Sequence, residues 1–176
     1  MALRYEEMGL WSRERIGWLL TTTARRWPAR ELILFEGERY SYEDMRRWMV
    51  QLANDFVARG LGPGSRILIQ LGNCMELIVA QLACWRIGAI CVPVIPIYRA
   101  HEVSHILKDA APHAVIAAAA AGTRMPYREM DELLVELGIK PIRIIVGEAA
   151  EAEGWDRIAG RPDAKFVADE DHLPEP

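Results

Sequence analysis

The sequence predicts an α/β fold: a mostly parallel sheet with helices on both faces and a short N-terminal hairpin. Three observations carry this. Apolar runs at residues 67–71, 89–94, 114–118 and 142–146 have strand length and lack the strict polar alternation of a half-solvated sheet. Stretches of helical period separate them, and strand–helix–strand order with buried strands calls for parallel crossover units. Glycines, prolines and capping residues fall at the junctions.

The first helix is expected over residues 12–27, capped by Ser12 and ended by Pro28, with Ile16, Leu19, Leu20, Thr23 and Trp27 on its apolar face. Residues 32–35 read as a strand, 36–39 as a turn around Gly37, and Tyr40 as the return of the hairpin. Ser41 and Asp44 then stand in capping-box relation, and Met45, Trp48, Met49, Leu52, Ala53 and Phe56 form an apolar stripe that stops at Gly60. Residues 61–65, Leu-Gly-Pro-Gly-Ser, turn the chain into strand 67–71. Asn73 and Glu76 mark the start of the next helix, Leu77, Ile78, Ala80, Gln81, Cys84 and Trp85 fill it, and Gly88 closes it. Strand 89–94, helix 98–109, strand 114–118, helix 127–137 and strand 142–146 complete the alternation. Acids and prolines then dilute the pattern. Residues 12–147 are therefore taken as the α/β domain and 148–176 as an acidic, proline-containing linker.

Composition narrows the function classes. At 176 residues, 51% hydrophobic and 26% charged, the chain has the length and make-up of one globular domain, which excludes disorder. Twenty-one basic against 25 acidic residues give a net charge of −4, with lysine only at 108, 140 and 165, so no basic field exists to hold nucleic acid. Cys74, Cys84 and Cys91 are odd in number and lie in apolar segments, which suits buried thiols in a reducing cytoplasm better than a disulfide framework. Acids interrupt residues 1–10, so no secretory leader is expected there. Residues 77–97 are long enough to cross a bilayer, but Arg86 lies at their centre and Gly88, Pro93 and Pro96 break them, so they read as core rather than a membrane span.

One motif demands a chemical reading. His101-Glu102-Val103-Ser104-His105 fits the two-histidine zinc hydrolase pattern: histidines four apart share a helical face, and Glu102 would act as general base on a zinc-bound water. A third ligand is required, and the extended pattern fails because Lys108 and Ala111 stand where glycine and histidine are needed. Glu129 and Glu132 are carboxylates further on, with nothing marking either as a ligand. The plainer reading, an amphipathic crossover helix with exposed histidines, is preferred. Gly60 to Ser65 resembles a phosphate-binding glycine loop only superficially: Ser65 replaces the third glycine, and the loop leaves a helix for a strand rather than the reverse. None of Ser12, Ser41, Ser65 and Ser104 sits in a nucleophile elbow. Arg25/Arg26 and Arg46/Arg47 fall on outer helix faces and read as solvated charge.

Tyr-Ser-Tyr-Glu-Asp-Met (40–45), followed by residues 58–98 with their Ile-Gly-Ala-Ile-Cys-Val-Pro-Val-Ile-Pro strand, resembles the N-terminal part of the adenylate-forming acyl-CoA synthetase family. Residues 101–112, His-Glu-Val-Ser-His-Ile-Leu-Lys-Asp-Ala-Ala-Pro, are similar to a scaffold helix of that family, and 123–130 to its Phe-Arg-Gly-Phe-Asp segment. The resemblance covers residues 15–147. It implies the first subdomain of an enzyme that joins a carboxylate to coenzyme A through an acyl-adenylate, using ATP and magnesium. The family's phosphate loop, magnesium segment, ribose-binding aspartate and C-terminal lysine would all lie beyond Pro176, so no catalytic, cofactor-binding or metal residue carries over. This chain alone is expected to bind no cofactor and to be non-catalytic. Its partners would be the remainder of the same enzyme, with self-association through an exposed apolar face. Two alternatives stay open: a small zinc hydrolase using His101, Glu102 and His105, and a stand-alone interaction module of ligase-like fold.

Overall fold

The computed structural model describes residues 2–10, 16–148 and, beyond these, 154, 156–158, 160–163, 165, 167, 169, 170 and 173. Helix α1 (Ala2–Glu7) opens the chain and α2 (Ile16–Arg26) follows; Ser12, the expected cap, lies outside the described residues. Strands β1 (Glu31–Phe35) and β2 (Glu38–Ser41) pair antiparallel as a separate two-stranded sheet. Glu36 and Gly37 take φ of 52° and 85°, the left-handed pair that a two-residue hairpin turn of matching twist requires.

Helix α3 (Tyr42–Ala58) starts at the expected capping box: the Asp44 N–H donates to Ser41 Oγ at 3.1 Å, and the Ser41 N–H donates to the Asp44 carboxylate at 3.0 Å. The expected stripe is its buried face. Strand β3 (Arg66–Gln70), helix α4 (Met75–Arg86), strand β4 (Ile90–Pro93), helix α5 (Ala100–Ala110), strand β5 (Ala114–Ala118), helix α6 (Pro126–Leu137) and strand β6 (Ile142–Val146) then alternate as expected. Cys74, not Asn73, is the N-cap of α4, and its side chain makes no cap hydrogen bond.

The large sheet is parallel throughout, in the order β4-β3-β5-β6-β7, where β7 is the two-residue strand Asp156–Arg157. Strand period decides what each face carries. Ile67, Ile69, Ala114, Ile116 and Ile144 point into one core with α2, α3 and α4, whereas Leu68, Val115, Ala117 and Ile145 point into a second with α5 and α6. The chain goes from β3 outward to β4 across α4, then back past β3 to β5 across α5. Right-handed crossovers running in opposite directions put their helices on opposite faces, as observed.

One expectation changes. Helix α2 buries Gly17, Leu20, Thr21 and Ala24, while Ile16 and Leu19 are 62% exposed and Trp27 is exposed as well. The cause is at Gly17, where a Cβ would sit 2.4 Å from the Trp85 carbonyl oxygen and 2.5 Å from Arg86 Cα: α2 lies backbone to backbone on α4. Only its small residues fit that seam, so the helix turns its larger apolar residues outward. Beyond residue 148 only a few residues are described. β7 extends the sheet beside β6, and Leu173 is buried in the core of the α3/α4 side.

Candidate functional site

In an open parallel sheet, ligands meet the carboxyl ends of the strands where successive connections leave on opposite faces. Here that point lies between β3 and β5, whose following helices, α4 and α6, sit on opposite faces. Gln70, buried at the end of β3, donates through Nε2 to the Tyr98 carbonyl at 3.2 Å. Arg124 joins the neighbouring loops: it donates to the Pro96 carbonyl at 2.6 Å and pairs with Glu129. The hydrogen bond from Arg124 and its charge hold the Glu129 carboxyl below the usual range against a smaller opposing effect of burial. Ile95, Ile97 and Met125 stand exposed around this edge, Ile97 at 73%.

Beside it, an open pocket of ≈ 400 Å³ lies between the hairpin and the start of α4, lined by Phe35, Tyr40, Trp48, Cys74 and the carboxylates Glu36, Glu38 and Glu76, among others. The Tyr40 hydroxyl donates to Glu38 at 2.8 Å; that bond, then burial, raises its pKa. Burial is also the main cause that raises the Cys74 thiol, so it is no activated nucleophile.

This edge does not fit a triphosphate. The pocket presents carboxylates, and no glycine loop leads from a strand into a helix there. Gly60 to Ser65 is a turn from α3 into β3, closed by the Ser65 N–H donating to the Gly62 carbonyl at 3.0 Å. Among the described residues no group of three or more His, Cys, Asp or Glu side chains is placed to hold a metal ion.

His101, Glu102 and His105 are all exposed on α5. Glu102 is engaged with its own helix: its carboxylate accepts from the Arg99 N–H at 3.0 Å, and this bond holds its pKa down. Glu129 is tied to Arg124, and Glu132 is exposed on α6. The five-residue pattern therefore reflects a helix start, with a glutamate three residues past the cap, flanked by two surface histidines.

Arg46 and Arg47 are only partly solvated. The Arg46 side chain, 16% exposed, pairs with Glu43 at 2.7 Å and with Glu170, and Arg47 donates to the Asp163 carbonyl. Arg86 is 1% exposed, stacks on the Trp18 ring at 3.9 Å and lies 3.6 Å from Glu170. Its isolation in an apolar stretch is the sequence signal for a buried counter-charge. The partner sits more than eighty residues away, where periodicity carries no information.

Known proteins align with this geometry. The model of the AMP-binding enzyme family matches residues 20–173. The chain is 35% identical over 140 residues to the salicyl-AMP ligase / salicyl-S-ArCP synthetase of Mycobacterium tuberculosis, across 76% of this chain and 24% of that one. It is 34% identical over 104 residues to the medium-chain fatty-acid–CoA ligase of Escherichia coli, across 58% of this chain and 18% of that one. The apo structure of Mycobacterium smegmatis MbtA superposes with a TM-score of 0.74 at 26% identity, covering 96% of this chain and 31% of that chain. The chain thus spans less than a third of the length of these relatives. With residues 20–173 matched and the α/β layers shared with such a structure, the chain belongs to the AMP-binding family of adenylate-forming enzymes, as an N-terminal portion.

Proposed function

We propose that these residues are the first subdomain of an ATP-dependent carboxylate–CoA ligase, and that the chain by itself is a non-catalytic scaffold. In the whole enzyme a carboxylate and ATP give an acyl-adenylate and pyrophosphate, and the acyl group then passes to the coenzyme A thiol with release of AMP. The observation that carries the reading is the family match across residues 20–173, on a chain that spans only 24% and 18% of ligases acting on so different a pair of acids. The contribution of this chain is structural. Its sheet presents the Gln70, Tyr98 and Arg124 loops at one edge, and the exposed Ile95, Ile97 and Met125 there suit contact with the remainder of the same enzyme. A cytoplasmic setting belongs to the same proposal, supported by three free thiols. No described helix is long and apolar enough to cross a membrane.

The test is to follow the reading frame past Pro176 and express both the longer product and this chain. Carboxylate-dependent ATP–pyrophosphate exchange, then thioester formation with coenzyme A, is measured over a panel of fatty and aromatic acids. The longer product is expected to catalyse both and the chain neither. Exchange by the 176 residues alone overturns the scaffold reading. Exchange without coenzyme A transfer overturns the choice of thiol, and a stop codon after Pro176 overturns the ligase reading.

A further inference from the structure

Two of the three free cysteines stand together. Cys84 lies in the last turn of α4 and is fully buried, and Cys91 lies in β4 and is half-buried. Strand pairing brings them to one face: Cys91 is the partner of Ile67 across β4 and β3, and Ile67 points into the α3/α4 core that holds Cys84. The turn between them is tight, because the Ala89 N–H donates to the Cys84 carbonyl at 2.8 Å and folds the chain back after α4. The side chains meet directly. The Cys84 S–H donates to the Cys91 sulfur. Cys74, which caps the other end of α4, is about 15 Å away along the helix axis.

The two thiols are unequal. The hydrogen bond from Cys84 favours the Cys91 thiolate and holds its pKa below the ordinary thiol value, against a smaller opposing effect of burial. The same bond, then burial, keeps the proton on Cys84. Access differs in the same sense. β4 is an edge strand, hydrogen-bonded to β3 alone among the described residues, and Cys91 keeps some surface there, whereas Cys84 has none. A strand tied on one side can also shift by the small distance that a bond between the sulfurs needs.

We propose that Cys91 and Cys84 are a reversible dithiol–disulfide pair whose oxidant is a hydroperoxide, with Cys91 the attacking thiol and Cys84 the resolving one. Cys91 gives its proton to solvent and its thiolate attacks the peroxide: an S–O bond forms, the O–O bond breaks, and the leaving oxygen takes a proton back from solvent. Cys91 is then a sulfenic acid. The Cys84 sulfur attacks the Cys91 sulfur; the S–S bond forms, the S–O bond breaks, and the hydroxide leaves as water with the Cys84 proton. Two thiols and one hydroperoxide thus give a disulfide, an alcohol (water, when hydrogen peroxide is the oxidant) and water, in a two-electron exchange. A dithiol reductant reverses it. The disulfide fastens the edge strand to α4, just ahead of the segment whose Pro96 and Tyr98 carbonyls are held by Arg124 and Gln70. This chemistry does not depend on the ligase reading.

The experiment uses the 176-residue chain, reduced, freed of reductant and treated with a small molar excess of hydrogen peroxide. Free thiols titrated after denaturation are expected to fall from three to one, with the chain lighter by two hydrogen atoms. Trypsin cuts after Arg66, Arg86 and Arg99, so the product is peptides 67–86 and 87–99 joined by a disulfide that dithiothreitol opens. Cys74→Ala is expected to give the same link, which assigns it to Cys84. Cys84→Ala is expected to stop at a Cys91 sulfenic acid that dimedone traps, and Cys91→Ala to leave Cys84 unmodified at the same dose. The proposal is overturned by three thiols surviving the treatment, by a link that Cys74→Ala abolishes, or by links between chains in place of the internal one. Absence of the trapped Cys91 in Cys84→Ala, or loss of the Cys84 thiol in Cys91→Ala, overturns the assigned order of attack. If the Cys84 or Cys91 variant does not fold, the wild-type chain and Cys74→Ala still decide whether the pair closes.

Discussion

The two faces of the sheet are covered by different means. On the α5/α6 side, two helices of clear amphipathic period bury Val103, Leu107, Met130, Leu133 and Leu134, and their polar groups meet water or each other on the surface. On the α3/α4 side the apolar stripe is present too, but α2 lies backbone to backbone on α4, an arginine is buried, and Glu170, from far along the chain, lies 3.6 Å from it. A face closed by one helix pair is specified locally. A face closed in three layers draws on residues a hundred or more positions apart, as in the Arg46–Glu170 pair.

The comparison can be broken first on the simpler face. Leu107→Ala removes a fully buried side chain from the apolar core of this face, and is expected to lower the unfolding free energy by about 2–5 kcal/mol. Equilibrium urea unfolding checks it, and a loss under about 1 kcal/mol would mean that this layer relaxes around the cavity and is not closed by packing.

The next effect belongs to the layered face. At an unencumbered helical site, Gly17→Ala would raise stability by up to about 1 kcal/mol through propensity. Here the added carbon meets backbone atoms at 2.4–2.5 Å, so a net loss of about 1–3 kcal/mol is expected as α2 is pushed off α4. A midpoint at or above wild type in the same urea titration would remove the close seam from the account.

The smallest effect sharpens the start of α3, where Arg161 meets the helix cap. Burial raises the Asp44 pKa, but hydrogen bonds from the Ser41 N–H and hydroxyl, together with Arg161, outweigh it and hold the carboxyl below its ordinary 3.8. A depressed folded pKa stabilises the protein above the unfolded value and loses that contribution as pH falls through the folded value. Asp44→Asn should therefore be less stable than wild type at neutral pH, with the gap closing below about pH 4. Ser41→Ala should cost about 1 kcal/mol at neutral pH. A difference between Asp44→Asn and wild type that persists unchanged to pH 2 would place the effect in shape rather than charge.

What was legible in the sequence divides along the same line. Strands β5 and β6 fall on the residues expected, and the Ser41–Asp44 box and the glycine stop at Gly60 are where local chemistry puts them. Each is decided within a few residues. The buried face of α2 was not legible, because Ile16 and Leu19 fit an apolar stripe as well as Leu20 does, and the choice was made by α4 at Gly17. Arg46 and Arg47 looked like ordinary surface charge because Glu170 and Asp163, which meet them, lie beyond residue 160. The His101–His105 pattern was legible as letters, yet its glutamate serves the helix start, a role that the same letters describe equally well. Family membership came through the order of several segments, each of which alone is a common turn, strand or cap.

The central place of β3 has a consequence during synthesis. Ile67 pairs with Cys91 on one side and with Ala114 on the other, so one edge of β3 finds its partner 23 residues before the other does. At roughly 5–20 residues per second, the nascent chain carries an apolar strand with an open edge for a few seconds. Unpaired parallel edges are slow to close and prone to pair with other chains. The ribosome therefore releases this sheet through a vulnerable half-built stage, and codon choice between 91 and 114 is where translation speed would govern the yield of folded protein.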